Sequence, residues 1–152
     1  MVEDKRKKRW ILGCLTCDEK IYSFWRMLRA MELAGLVKRV KADKKVTHVG
    51  LDGFGEVRTI GRTVTEVYDV GGEIFVFRDT PRSEPSMEYS FEGIYRLVEL
   101  LLNHRRKIYN AYVKMKRKPD YKEDVERVID FIEKEAKRLG IPLKLPKRRT
   151  KK

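Results

Sequence analysis

Between Ile21 and Leu51 the apolar residues change period, and few local folds satisfy both halves of that change. Ile21, Trp25, Leu28 and Met31 recur at steps of four, three and three, with Phe24 beside them. That is the spacing of a helix that buries one face. Asp18 stands as its N-cap and Gly35 where a left-handed C-cap belongs, which predicts a helix over 19–34. The other side of this helix carries Arg26 and Arg29, with Lys20 and Ser23 nearby. Past the glycine, 36–41 reads as a strand, Ala42-Asp43-Lys44 as its turn and 45–51 as the returning strand, closed by a glycine-punctuated corner that ends at Gly55.

The next segment is period two. Residues 63–70 and 73–79 are rich in Val, Ile, Thr, Tyr and Phe, and Gly71-Gly72 between them supplies the positive φ angles of a tight primed turn. The predicted register sets Tyr68 opposite Phe75 and Val67 opposite Val76. Pro81 and Pro85 mark 80–86 as a loop or boundary. The chain then turns helical. Ile94, Val98, Leu101, Ile108, Tyr112 and Met115 form one seam interrupted at Arg105, and Lys118-Pro119-Asp120 breaks it. Val125, Val128, Ile129, Ile132, Ala136 and Leu139 make a second stripe, which Gly140 and Pro142 stop. The expectation is an α+β chain. A nucleic-acid-binding α/β part over 10–80 is followed by an antiparallel helical hairpin over 87–140, with flexible basic arms at 1–9 and 141–152. The seams of the hairpin can close within one chain or between two, so a homodimer is a candidate assembly.

Charge decides the class of partner. Lys and Arg number 36 against 23 acids, a formal +13. Such an excess points to a polyanion, nucleic acid before an anionic membrane surface. No run approaches the roughly 20 apolar residues of a membrane span. The apolar run before Cys17 is too short for a signal peptide, so a cytoplasmic protein is expected. There is no Gln and only two Asn, Asn103 and Asn110, beside 39% charged residues, a thermophile's balance. Cys14 and Cys17 form a lone CxxC. His48 and His104 do not complete a tetrahedral set, so no metal and no cofactor is expected. The two cysteines read as buried and inert on a helix, or as a disulfide of the kind found inside hyperthermophiles.

AGLVKRV followed by KKVTHVGLDGFGEV resembles the end of the recognition helix, the wing and the following corner of winged helix-turn-helix transcription regulators of the multiple-antibiotic-resistance and arsenic-repressor type. Leu51, Asp52 and Gly55 stand in that family's register, and the similarity covers residues 21–56. The resemblance implies a winged-helix-like, sequence-specific binder of double-stranded DNA that acts in transcription regulation. Tyr22, Ser23, Arg26 and Arg29 would face the major groove, where Arg reads guanine edges. Lys38, Arg39, Lys41, Lys44 and Lys45 would hold phosphates. The bland alternative is a solvated helix face and hairpin.

Two other functions compete with it. From His104 to Lys118 the chain has no acid but carries Arg105, Arg106, Lys107, Lys114, Lys116, Arg117 and Lys118, with Tyr109 and Tyr112 interleaved. Such a helix on a sheet could bind RNA or single strands by stacking. Alternatively it is a basic helix end with its tyrosines in the core. Asp69, Glu73 and Asp79, with the Tyr112 to Lys116 spacing, raise a metal-dependent nuclease or nickase. The acid-x-Lys step and a histidine pair are missing, so no catalytic residue is assigned and a non-enzyme is expected.

Overall fold

The computed structural model describes residues 6–12, 18–51, 57–79 and 85–143, with side chains placed outside 18–19, 43–51 and 57–63. The protein is α+β. Strands β1 (Arg9–Leu12), β2 (Lys38–Leu51), β3 (Val57–Val70), β4 (Glu73–Asp79) and β5 (Ser86–Ser90) form one antiparallel sheet in the order β1-β5-β4-β3-β2. Helices α1 (Asp18–Leu33), α2 (Phe91–Asn103), α3 (Arg105–Lys114) and α4 (Tyr121–Leu139) supply the rest of the core. Alternate strand residues Tyr68, Val70, Phe75, Phe77, Met87 and Tyr89 are buried in one cluster with side chains from all four helices.

The glycine hairpin forms as its sequence requires. Gly71 and Gly72 have φ of 59° and 93°. Tyr68 pairs with Phe75 and Val67 with Val76. Gly35 (φ 78°) ends α1 in a Schellman motif, with Leu36 N–H donating to the Met31 carbonyl and Gly35 N–H to that of Glu32.

Four features depart from expectation. Ala42-Asp43-Lys44 is not a turn: β2 runs unbroken for 14 residues and pairs with β3 from Lys38–Asp69 to Leu51–Val57. Asp43 suits a turn or an edge strand alike, pairing with β3 selects the strand, and register shifts after Arg39, Val46 and His48 absorb the irregular alternation. No two-stranded wing therefore lies within 36–51. The 94–115 seam is two helices, broken at His104 (φ −132°, ψ 37°), which lets Arg105 leave the core while Ile108 and Tyr112 re-enter it. Residues 86–90 belong to the sheet, so the helical part starts at Phe91. Finally, residues 6–9 are no loose arm. Arg6 pairs with Glu92 at 2.7 Å, Lys7 with Glu73 at 2.7 Å and Arg9 with Glu88 at 2.9 Å, and the strand that follows seals the β5 edge. Cys14, Cys17 and the tail from Lys144 lie outside the described residues.

The stripe of α4 packs on α1 and α2 of the same chain. Phe131 sits edge-on to Phe24 at 5.2 Å and to Tyr89 at 5.5 Å, joining α4, α1 and β5. Each such aromatic contributes about 1.5–3 kcal/mol through burial.

Three buried phenols follow one pattern. Tyr68 donates to Glu66 (2.6 Å), Tyr89 to Glu135 (2.9 Å) and Tyr112 to Asp124 (2.8 Å). Each carboxylate also faces arginine: Arg29 and Arg39 at Glu66, Arg138 at Glu135, Arg26 at Asp124. Burial, then the neighbouring carboxylate, pushes all three phenols above their ordinary range. A folded pKa above the unfolded one gives stability that is complete below the unfolded value and lost as pH rises through the folded one. Stability is therefore expected to fall once pH passes about 10, where unfolded tyrosines ionise. Thermal melts between pH 8 and 11 check this, and Tyr89→Phe should flatten the decline by about 1.4 kcal/mol per pH unit. A decline that the substitution leaves unchanged would refute the assignment.

Candidate nucleic-acid interface

The candidate DNA-reading residues of α1 do not share a free face. The helix is central: Ile21, Phe24, Met27, Leu28 and Met31 are fully buried. Ser23 is buried as well, donating to Asp124 Oδ1 at 2.8 Å and accepting from Arg127 at 3.2 Å. Arg26 forks onto the same carboxylate through Nε and Nη2 at 2.8 and 2.9 Å, a bond that raises its already high pKa. Tyr22 donates to Asp79 at 3.2 Å, on the opposite flank. Ser23 is thus out of a ligand's reach, while Tyr22 and Arg26 are partly exposed with their polar ends on carboxylates. The physical reason is that α4 lays Asp124, fully buried, across the polar side of α1.

The structure does bring other predicted residues together. Arg29 reaches Glu66 at 3.6 Å and Glu32 at 3.9 Å, with its guanidinium 5.6 Å from the centre of the Trp25 ring. Arg39 reaches the same two acids at 3.7 and 3.4 Å. Arg26, Arg29 and Arg117 line one hollow where α1 meets the end of α3. The first residues of β2 continue this flank, with Lys38 and Lys41 exposed. The backbones of Lys44 and Lys45 pair with Val64 and Thr63, and their side chains lie outside the described ones. Arg105, Arg106, Lys107 and Lys114 are exposed on α3, with Arg105 turned towards α4 beside Tyr121.

The sheet adds a second element. β4 pairs with β3 only from Val64 to Val70, so 57–63 of β3 pairs with β2 alone. At about 3.3 Å per residue, this two-stranded ribbon continues roughly 20 Å past β4.

No family model, curated protein or solved structure matches this chain.

The rings that a single strand would stack on are occupied. Tyr68, Phe75, Phe77 and Tyr89 point into the core. Trp25 stacks on Phe77 at 5.7 Å, and Tyr109 and Tyr121 meet edge-on at 5.2 Å. Tyr112, the hydroxyl that a nickase would use, is buried on Asp124. Of the acids weighed for a nuclease, Asp69 closes the glycine turn by accepting from Gly72 N–H at 2.7 Å. Glu73 accepts from Lys7 and Ser90, and the Lys7 bond lowers its pKa. Asp79 lies at the far end of β4. Among the described residues no group of three His, Cys, Asp or Glu could hold a metal, and no helix is long and apolar enough to cross a membrane.

The residues that sequence reasoning missed are the acids. Asp124 and Glu135 fall in step with the apolar stripe of α4, through 124, 128, 131 and 135, and carboxylates inside a seam were the available signal.

Proposed function

We propose that the protein binds double-stranded DNA through a basic flank and a β-ribbon, not through a protruding recognition helix. The observation that carries this reading is the continuous β2–β3 ribbon, whose first strand bears Lys38, Arg39, Lys41, Lys44 and Lys45. A major groove admits a two-stranded ribbon as readily as a helix. Lysines along such a ribbon neutralise phosphates, while Arg29, Arg39 and Arg117 extend the contact onto the body. The burial of the strand aromatics favours a duplex over single strands, because stacking needs open rings. A regulator's role adds one requirement, preference for a chosen sequence.

The test titrates duplex and single-stranded probes of equal length at two salt concentrations. Duplex should bind more tightly, and its affinity should fall steeply with salt. Equal or tighter binding of single strands would overturn the reading in favour of an RNA or single-strand module. Identical affinity for random duplexes and for a duplex selected from a random pool would remove the regulator.

A further inference from the structure

We infer that the hollow between α1 and the end of α3 is a binding site for a nucleotide phosphomonoester. Its walls are Trp25, Arg26, Arg29, Met115 and Arg117, and its volume is about 290 Å³. Three guanidiniums and no carboxylate form the lining. Four acids outside the lining, Asp124, Asp120, Glu66 and Glu32, lie within 4 Å of them. Asp124 holds Arg26 by its Nε and Nη2, which leaves the Nη1 edge outside that fork. Asp120 lies 3.6 Å from Arg117, and Glu66 and Glu32 lie 3.6 and 3.9 Å from Arg29. Those separations exceed hydrogen-bond length, so the N–H groups of Arg29 and Arg117 keep donor capacity for a stronger acceptor. A phosphomonoester presents up to two charges and three acceptor oxygens, and arginine forks match that geometry.

The backbone beside the hollow is strained in the same direction. Lys116 adopts φ 60°, among the described residues the one non-glycine with positive φ. This conformation closes α3 in a Schellman turn, Lys116 N–H on the Val113 carbonyl and Arg117 N–H on that of Tyr112. The turn places Arg117 directly after the end of α3, in the lining of the hollow. At about 290 Å³ the hollow is larger than a bare phosphate fills. Met115 and the part of Trp25 not covered by Phe77 give the remainder an apolar wall against which a nucleoside can pack without stacking on the ring face. The ligand chemistry has two sources, the 5′ end of a strand and a free mononucleotide. The strand-end source rests on the duplex reading; the mononucleotide does not.

The experiment follows tryptophan fluorescence of the full chain during titration with adenosine monophosphate, with adenosine, and with one duplex carrying either a 5′-phosphate or a 5′-hydroxyl. Trp25 in the wall should report adenosine monophosphate and not adenosine. Arg117→Ala should weaken that response about tenfold, the scale of one lost charge-assisted bond. Arg117 is more than half exposed, so its loss leaves the core intact, and an unchanged melting curve verifies this. Competition by the 5′-phosphate duplex alone assigns the site to strand ends; binding of the mononucleotide alone assigns it to free nucleotides. Equal response to adenosine and its monophosphate, or none to either with both duplexes bound alike, overturns the pocket and leaves duplex binding standing. An Arg117-dependent mononucleotide response with no duplex bound at any salt does the reverse.

Discussion

Asp124→Ala is expected to cost about 3–5 kcal/mol of folding stability, among the largest losses any single polar substitution in this chain should produce. The carboxylate is fully buried and accepts from Ser23, from both ends of the Arg26 fork and from Tyr112. Removing it strands two buried hydroxyls and leaves a largely buried guanidinium without its fork, and stranded donors cost more than the bonds were worth. For a chain of this length each kcal/mol moves the melting temperature by roughly 2–4 °C, so the midpoint should drop by about 6–20 °C. Glu126→Ala, exposed on the same helix, should stay within about 0.5 kcal/mol. The informative comparison is a fourfold apolar replacement, Ser23→Ala, Arg26→Met, Tyr112→Phe and Asp124→Leu. With no charge left to strand, it should recover most of the loss. A cost below about 1 kcal/mol for Asp124→Ala, measured by denaturant unfolding, would mean that the cluster is not the clamp between α1, α3 and α4.

That clamp explains why the fold was more legible than the site. Local rules decide where the chain turns: Gly71-Gly72 must take positive φ, and the flanking alternation then leaves one register. Helix stripes likewise announce a buried face: those of α2 and α4 are buried as spaced, while on α1 Trp25 of the predicted stripe is only partly buried and Met27 joins the core instead. The polar face of α1 is a different problem. Ser23, Arg26 and Arg29 show only that this side is polar. Whether it meets water, DNA or a carboxylate is settled by Asp124 and Glu66, which lie roughly 100 and 40 residues away. The turn expected in the basic strand is absent for a non-local reason: Asp43 suits a turn or an edge strand equally, and only pairing with 57–70 chooses the strand. Distant pairing also turned the basic run at 6–9 from an arm into a docked edge, through Glu92, Glu73 and Glu88. The resemblance to winged helices rested on a helix, a glycine and a basic strand in order, and many architectures share that order.

Replacing Lys38, Lys41, Lys44 and Lys45 together by alanine should change how DNA affinity responds to salt more than any other change to the protein's surface charge. Each phosphate contact on duplex DNA contributes about 0.9 to the slope of log affinity against log salt. Four lost contacts lower the slope by about 3.6, so between 50 and 200 mM salt the native protein should lose about a hundredfold more affinity than the variant. Arg39 is left in place because its contacts with Glu32 and Glu66 tie β2 to the body, and its loss would mix folding with binding. Lys134→Ala with Lys137→Ala, on exposed positions of α4, removes two positive charges away from the ribbon and should leave the slope unchanged. Equal slopes for all three proteins would place the DNA contact elsewhere on the surface and remove the ribbon from it. A variant that loses its slope but keeps its preference for a selected duplex would separate the two tasks, with phosphates held by the lysines of β2 and bases read by another part of the interface.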